Sequence, residues 1–205
     1  MNIENILRKY FIMGSQNCTR NPEIILQEAI TGGITAFQYR EKGTGSLTGV
    51  EKIALGKRLR TICRNHGIPF IINDDIELIE VLDVDGVHVG QDDTAPEIIR
   101  KKYPNLIIGL SISNEKELAK SNLNVIDYVG AGPVFGTTTK ENAKEAVGLT
   151  WIQTLREKHP ELPIVGIGGI KEANAHLVLD AGANGVSFIS VVTKSDDVVT
   201  TVKNL

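Results

Sequence analysis

The sequence is poor in the residues that build covalent and metal frameworks. It has two cysteines, Cys18 and Cys63, in 205 residues, too few for a disulfide scaffold or a cysteine zinc motif. Its four histidines, His66, His88, His159 and His176, are scattered without the i, i+4 spacing of a zinc-binding helix. The familiar phosphate signatures are missing too. Gly130, Gly132 and Gly136 do not fit the dinucleotide G-x-G-x-x-G, and "GTTTK" is not a P-loop. A net charge of −3 leaves no basic footprint for nucleic acid. The one basic cluster, Lys57, Arg58, Arg60 and Arg64, has helical spacing and reads as a solvated face. The first residues lack an apolar signal core, so the expectation is a cytoplasmic protein with neither nucleic acid nor membrane as partner. Composition alone is compatible with a monomer or a homo-oligomer.

What is present is a rhythm. Eight short apolar runs, "YFIMGS", "TAFQYRE", "FIIND", "GVHVG", "LIIGLSI", "YVGAGPV", "PIVGIGG" and "GVSFIS", alternate with amphipathic stretches. Helices are expected over 22–31, 48–66, 96–103, 150–159 and 171–181. Pro22 and Pro96 suit helix starts, and Gly32, Gly67 and Gly182 suit left-handed caps. Strands apolar almost throughout, alternating with helices, call for parallel pairing with both faces covered. Eight of them make a (β/α)₈ TIM barrel the economical fold, with residues 1–205 as one domain and 1–9 as a short helical extension. A doubly wound open sheet is the alternative, but its first strand would normally end in a glycine fingerprint that "IMGSQNCTRN" lacks.

In such a barrel the chemistry gathers at the carboxyl ends of the strands. Strand two closes with Gln38, Arg40 and Lys42, whose alternation puts two cations and an amide on one side. Strand three ends in Asn73-Asp74-Asp75, strand four runs into Gln91-Asp92-Asp93, strand five carries Ser111, and strand six leads to Thr137, Thr138, Thr139 and Lys140. Each has a bland reading as a cap or turn. Together they describe a metal-bridged polyphosphate site: carboxylates and phosphate oxygens select Mg²⁺, and arginine and lysine neutralise the rest. The glycine-lined ends of strands seven and eight, Gly168-Gly169 and Ile189-Ser190, offer backbone N–H groups to a second phosphate. Two phosphorylated small molecules are implied. His88, inside "GVHVG", reads as a hydrogen-bonded strand histidine rather than a catalytic one.

The motifs "QYREK", "IINDD", "GVHVGQDD", "GLS", "DYVGAGPVFGTTTK", "GIGGI" and "GVSFIS" resemble, in order, those of the thiamine phosphate synthase family. The resemblance implies a transferase that joins a hydroxymethylpyrimidine pyrophosphate to a thiazole phosphate, releasing pyrophosphate. It implies that Gln38, Tyr39, Arg40, Glu41, Lys42, Asn73, Ser111 and Lys140 surround the pyrimidine pyrophosphate. Arg40, Lys42, Ser111 and Lys140 would be the catalytic members of that set. It implies Mg²⁺ on Asp74 and Asp93, and the thiazole phosphate on Thr137, Thr139, Gly169, Ile189 and Ser190. Gly136 departs from the family pattern, as does "GLSISN". The related thiazole tautomerase and a non-catalytic precursor-sensing barrel are the rival readings.

Overall fold

The computed structural model describes residues 2–137 and 145–205; the expectations for Thr138, Thr139 and Lys140 lie outside them. The strands are β1 (Lys9–Met13), β2 (Ala36–Tyr39), β3 (Phe70–Asn73), β4 (Gly86–Val89), β5 (Ile107–Ile112), β6 (Tyr128–Ala131), β7 (Ile164–Ile167) and β8 (Gly185–Phe188). All pair in parallel with their sequence neighbours, and β8 closes on β1. The expected TIM barrel is therefore the fold. Around it run α1 (Ile3–Leu7), α2 (Pro22–Gly32), α3 (Gly49–Asn65), α4 (Leu78–Leu82), α5 (Pro96–Lys102), α6 (Glu115–Lys120), α7 (Gly148–Lys158), α8 (Ala175–Asp180), α9 (Ser190–Thr193) and α10 (Val198–Asn204).

Local signals explain most boundaries. Proline fixes φ and lacks an N–H that the first helical turn would leave unpaired, and Pro22 and Pro96 open α2 and α5. The left-handed cap of α2 falls one residue later than expected. Gly33 carries φ +99°, while Gly32 stays helical and is glycine for lack of space, since a Cβ there would stand 2.7 Å from that of Val202. Gly67 and Gly182 are left-handed as expected. The N-terminal extension is shorter than nine residues, since Lys9 already belongs to β1.

Two apolar layers hold the barrel. Outside the sheet, alternate strand residues such as Phe37, Phe70, Val129 and Ile164 pack against the helices. Inside, Ile6 and Leu7 of α1 plug the lower end against Tyr10, Ala36, Ile71, Tyr128 and Val165. The interior pairs bulk with glycine. A Cβ on Gly109 would stand 2.1 Å from Tyr128 Cζ, and one on Gly130 2.9 Å from His88 Cε1. The missing side chains of β5 and β6 are thus the space in which Tyr128 and His88 sit.

The amino ends of the strands carry a repeated staple. Arg60 of α3 donates to Asp85 at 2.9 and 3.1 Å, and Asp85 accepts the Phe70 N–H at 2.7 Å. Arg100 of α5 donates to Asp127 (2.7 Å), which accepts from Ile108 N (2.7 Å). Arg156 of α7 donates to Asn184 (2.8 Å), which accepts from Ile164 N (2.8 Å). A guanidinium thus ties three helices to the start of a strand through one acceptor side chain. The basic cluster on α3 is solvated as expected at Lys57, Arg58 and Arg64, and the reading is corrected at Arg60 alone. Arg60 is half of a staple and only 13% exposed at its side chain, while Arg58 and Arg64 pair with Glu23 and Asp83.

Candidate active site

The carboxyl ends of the strands surround a concave cavity, lined by apolar surface with a few convergent polar groups as small-molecule sites are. Gln38, Arg40, Asn73, His88, Ser111, Thr137, Gly169, Ile189 and Ser190 all line it. Strand parity accounts for this convergence, because Gln38 of β2, Asn73 of β3, His88 of β4 and Ser111 of β5 are all inward positions.

One rim is ionic. The strand β2 stops at Tyr39, so Arg40 and Lys42 project from the loop beyond it rather than from a continuing strand. Arg40 is 8% exposed and lines the cavity; Lys42 is exposed and pairs with Asp74. Asp74 has φ +60°, a left-handed conformation that aspartate tolerates better than most side chains. Asp93 accepts the Gly90 N–H at 2.7 Å. Its carboxyl is held above the usual range, first by burial and then by the hydrogen bond and negative charge of Asp74; the Gly90 bond and Lys42 oppose the shift. Two carboxylates from neighbouring loops thus meet beside one lysine. Among the described residues no group of three or more histidines, cysteines or acids could hold a metal by itself. A pair of carboxylates suits a hard cation whose remaining ligands are waters and substrate oxygens, which is the manner of Mg²⁺ rather than zinc.

The opposite rim is built from backbone. Gly168 and Gly169 follow β7 with φ +100° and +63°. Val134 N and Phe135 N donate to Ile167 O (2.8 Å) and Gly168 O (3.0 Å), zipping the loop after β6 to the loop after β7. A Cβ on Gly169 would stand 2.7 Å from Gly136 O, so glycine is required there by both conformation and space. Thr137, Ile189 and Ser190 complete this side.

Lys42, Asp74 and Asp93 stand beyond the cavity lining, Lys42 and Asp74 close in sequence to Arg40 and Asn73 and Asp93 against Asp74. Two further expected site residues lie elsewhere. Tyr39 points outward from β2, packs against Phe70 with ring centroids 6.1 Å apart, and donates to Lys52 O at 2.9 Å. Glu41 is buried and accepts from Ser15 N (2.8 Å), Ser15 Oγ and Leu47 N (2.7 Å). It braces the loops after β1 and β2 and does not line the cavity. Conversely, Tyr10 lines the cavity and was not singled out from the sequence; His88 was read as structural and has both ring nitrogens engaged inside the barrel, with Tyr128 at 3.0 Å and Ser111 at 2.9 Å. Period-two alternation could have found both as inward residues, but not what they bond.

Comparison with known proteins gives the family and the fold. The family model described as thiamine monophosphate synthase matches residues 9–192. The chain is 58% identical over 202 residues to a thiamine-phosphate synthase of Oceanobacillus iheyensis, covering 98% of each. It is 46% identical to one of Anoxybacillus flavithermus, covering 97% of this chain and 92% of the relative. A solved thiamine phosphate pyrophosphorylase from Pyrococcus furiosus superposes with a TM-score of 0.87 at 32% identity, covering 100% of this chain and 96% of that one.

Proposed function

The chain belongs to the thiamine monophosphate synthase family, and from that premise we propose how its cavity joins a hydroxymethylpyrimidine pyrophosphate to a thiazole phosphate. The activity is that of a thiamine-phosphate synthase. The observation that carries the division of labour is the contrast between the rims: two carboxylates, Lys42 and Arg40 on one side, and a glycine, serine and threonine cradle on the other. The first suits a pyrophosphate with its metal; the second suits a monophosphate.

Asp74 and Asp93 are the residues that would hold Mg²⁺. Bound there, the ion supplies charge neutralisation for the departing pyrophosphate. Arg40, Lys42 and Asn73 orient the same group, Ser111 offers a hydroxyl, and Lys140 would join them as the family resemblance implies. Gln38 faces the pyrimidine. Thr137, Gly169, Ile189 and Ser190 seat the thiazole phosphate so that its ring nitrogen faces the pyrimidine's methylene carbon, and Thr139 would join them as the family resemblance implies. The carbon–oxygen bond to pyrophosphate breaks, the electron-rich aminopyrimidine bears the positive charge, and the thiazole nitrogen attacks. No protein nucleophile is needed; the work is positioning and electrostatics.

The tautomerase reading requires a base beside the thiazole. Of the described residues on that rim, Thr137, Gly168, Gly169, Ile189 and Ser190 provide none, and both nitrogens of His88 are engaged with Tyr128 and Ser111. The test is a metal titration of chelator-treated protein. Mg²⁺ should restore turnover, and Asp74→Asn and Asp93→Asn should each need far more of it. Unchanged titration curves for both variants would overturn the assignment.

A further inference from the structure

Five side chains cross the barrel in one hydrogen-bonded line. Gln38 Nε2 donates to Tyr10 Oη at 2.9 Å, and Tyr10 Oη meets Tyr128 Oη at 2.8 Å. Tyr128 Oη meets His88 Nδ1 at 3.0 Å, and His88 Nε2 meets Ser111 Oγ at 2.9 Å. Both tyrosines are buried, and burial pushes their hydroxyls well above the ordinary range, so they stay protonated and each has one proton to give. The two ends, Gln38 and Ser111, line the cavity.

With a neutral imidazole at His88, such a line has only two polarities. With the Gln38 amide donating to Tyr10, the Tyr10 proton goes to Tyr128 and the Tyr128 proton goes to His88 Nδ1. His88 then carries its own proton on Nε2 and gives it to Ser111 Oγ. Ser111 has accepted, so its hydroxyl proton is left to be donated into the cavity, and Gln38 turns its carbonyl oxygen away from Tyr10. Turning the amide reverses every bond: His88 is protonated on Nδ1, and Ser111 gives its proton to the imidazole. Gly109 and Gly130 make room for this line, since a Cβ on the first would meet His88 Nδ1 at 2.5 Å and on the second His88 Nε2 at 3.2 Å.

We propose that His88, Tyr128 and Tyr10 are positioning residues that set the hydrogen-bond polarity of the pyrimidine pyrophosphate site, holding Ser111 as a donor and Gln38 as an acceptor toward the ligand. The inference rests on the placement of Ser111 and Gln38 in that site. The polarity is the one the ligand requires. Pyrophosphate oxygens only accept, so a serine beside them must donate, and the exocyclic amino group of an aminopyrimidine donates, so an amide beside it must accept. A ligand with the reverse pattern, such as an oxo-pyrimidine, would face like against like.

The direct measurement is the nitrogen-15 spectrum of histidine-labelled, ligand-free protein at neutral pH. The chain has four histidines, and His88→Asn identifies the resonance pair to assign. A bare Nδ1 and a protonated Nε2 at His88 are expected; protonation at Nδ1 overturns the relay. Kinetics give the second arm. His88→Asn removes the bond to Ser111 and should cost about tenfold in kcat/KM, the scale of one hydrogen bond. His88→Gln, which can still donate to Ser111, should recover part of that loss. Because His88 acts through Ser111, the double variant with Ser111→Ala should be no slower than Ser111→Ala alone. Multiplying losses would overturn the coupling. The two kinds of failure separate: the expected tautomer together with a kinetically silent Ser111→Ala would refute the site assignment and the proposal with it. The wrong tautomer beside a damaging Ser111→Ala would refute the relay alone.

Discussion

Replacing Glu41 with alanine separates a brace from a ligand contact. The carboxylate is 5% exposed and receives two backbone N–H groups, from Ser15 at 2.8 Å and Leu47 at 2.7 Å, together with the Ser15 hydroxyl. Hydrogen bonds to a charged group contribute roughly 1.5–3 kcal/mol each. Ser15 and Leu47 are only half-buried, so water can replace part of what is lost. A total of about 3 kcal/mol is reasonable, near the lower end for two such bonds. For a chain of this size about 1 kcal/mol moves Tm by roughly 2–4 °C, so Glu41→Ala should melt about 6–12 °C below wild type without ligand. Glu41→Gln, which keeps one acceptor oxygen, should lose about half as much. Thermal and urea denaturation of the ligand-free proteins read this directly. Wild-type melting combined with a raised KM for the pyrimidine pyrophosphate would refute the brace and return Glu41 to the binding site.

The remaining predictions concern the metal pair, the staples and the barrel interior. The Asp93 carboxyl is raised in the folded protein, so in the absence of metal its contribution to stability is fully present below the unfolded-state value and is lost as pH rises through the raised one. Asp93→Asn should therefore flatten the pH dependence of metal-free Tm in that acidic window. It should also raise the Mg²⁺ needed for half-activity by about tenfold or more; parallel pH–Tm curves for variant and wild type would contradict this. Asp127→Asn should cost under about 1 kcal/mol and Asp127→Ala about 3 kcal/mol in urea unfolding, because Asn184 shows that an amide oxygen can fill the staple's acceptor position. Equal losses would contradict the staple. Gly109→Ala should destabilise by about 3 kcal/mol through overpacking against Tyr128, and melting at the wild-type temperature would count against the packing described.

The fold was legible because its signals are local. Apolar β-branched runs, prolines at helix starts and glycines at left-handed caps each report on their own few residues, and "FIIND" or "GVHVG" needs no distant partner to read as a strand. The cluster of Arg40, Lys42, Asp74 and Asp93 was legible for a related reason: barrel closure brings every strand end to one rim. Glu41 was misread because charge in "QYREK" does not say whether a carboxylate faces a ligand or a loop. The line from Tyr10 to Tyr128 joins residues 118 apart, and both stand at or next to a strand start like ordinary core aromatics. The staples left only a weak trace. Arginine precedes its acceptor by 25, 27 and 28 residues, a near-period visible only once the strand starts are known.

The central claim is that one cavity holds both phosphorylated ligands and lets pyrophosphate leave as the thiazole attacks. It is tested most directly by quantifying both products from purified protein with the pyrimidine pyrophosphate, the thiazole phosphate and Mg²⁺. Thiamine phosphate and pyrophosphate should appear in equal amounts, and omission of either substrate should abolish thiamine phosphate. Binding of both ligands without turnover, or rearrangement of the thiazole without release of pyrophosphate, would contradict it.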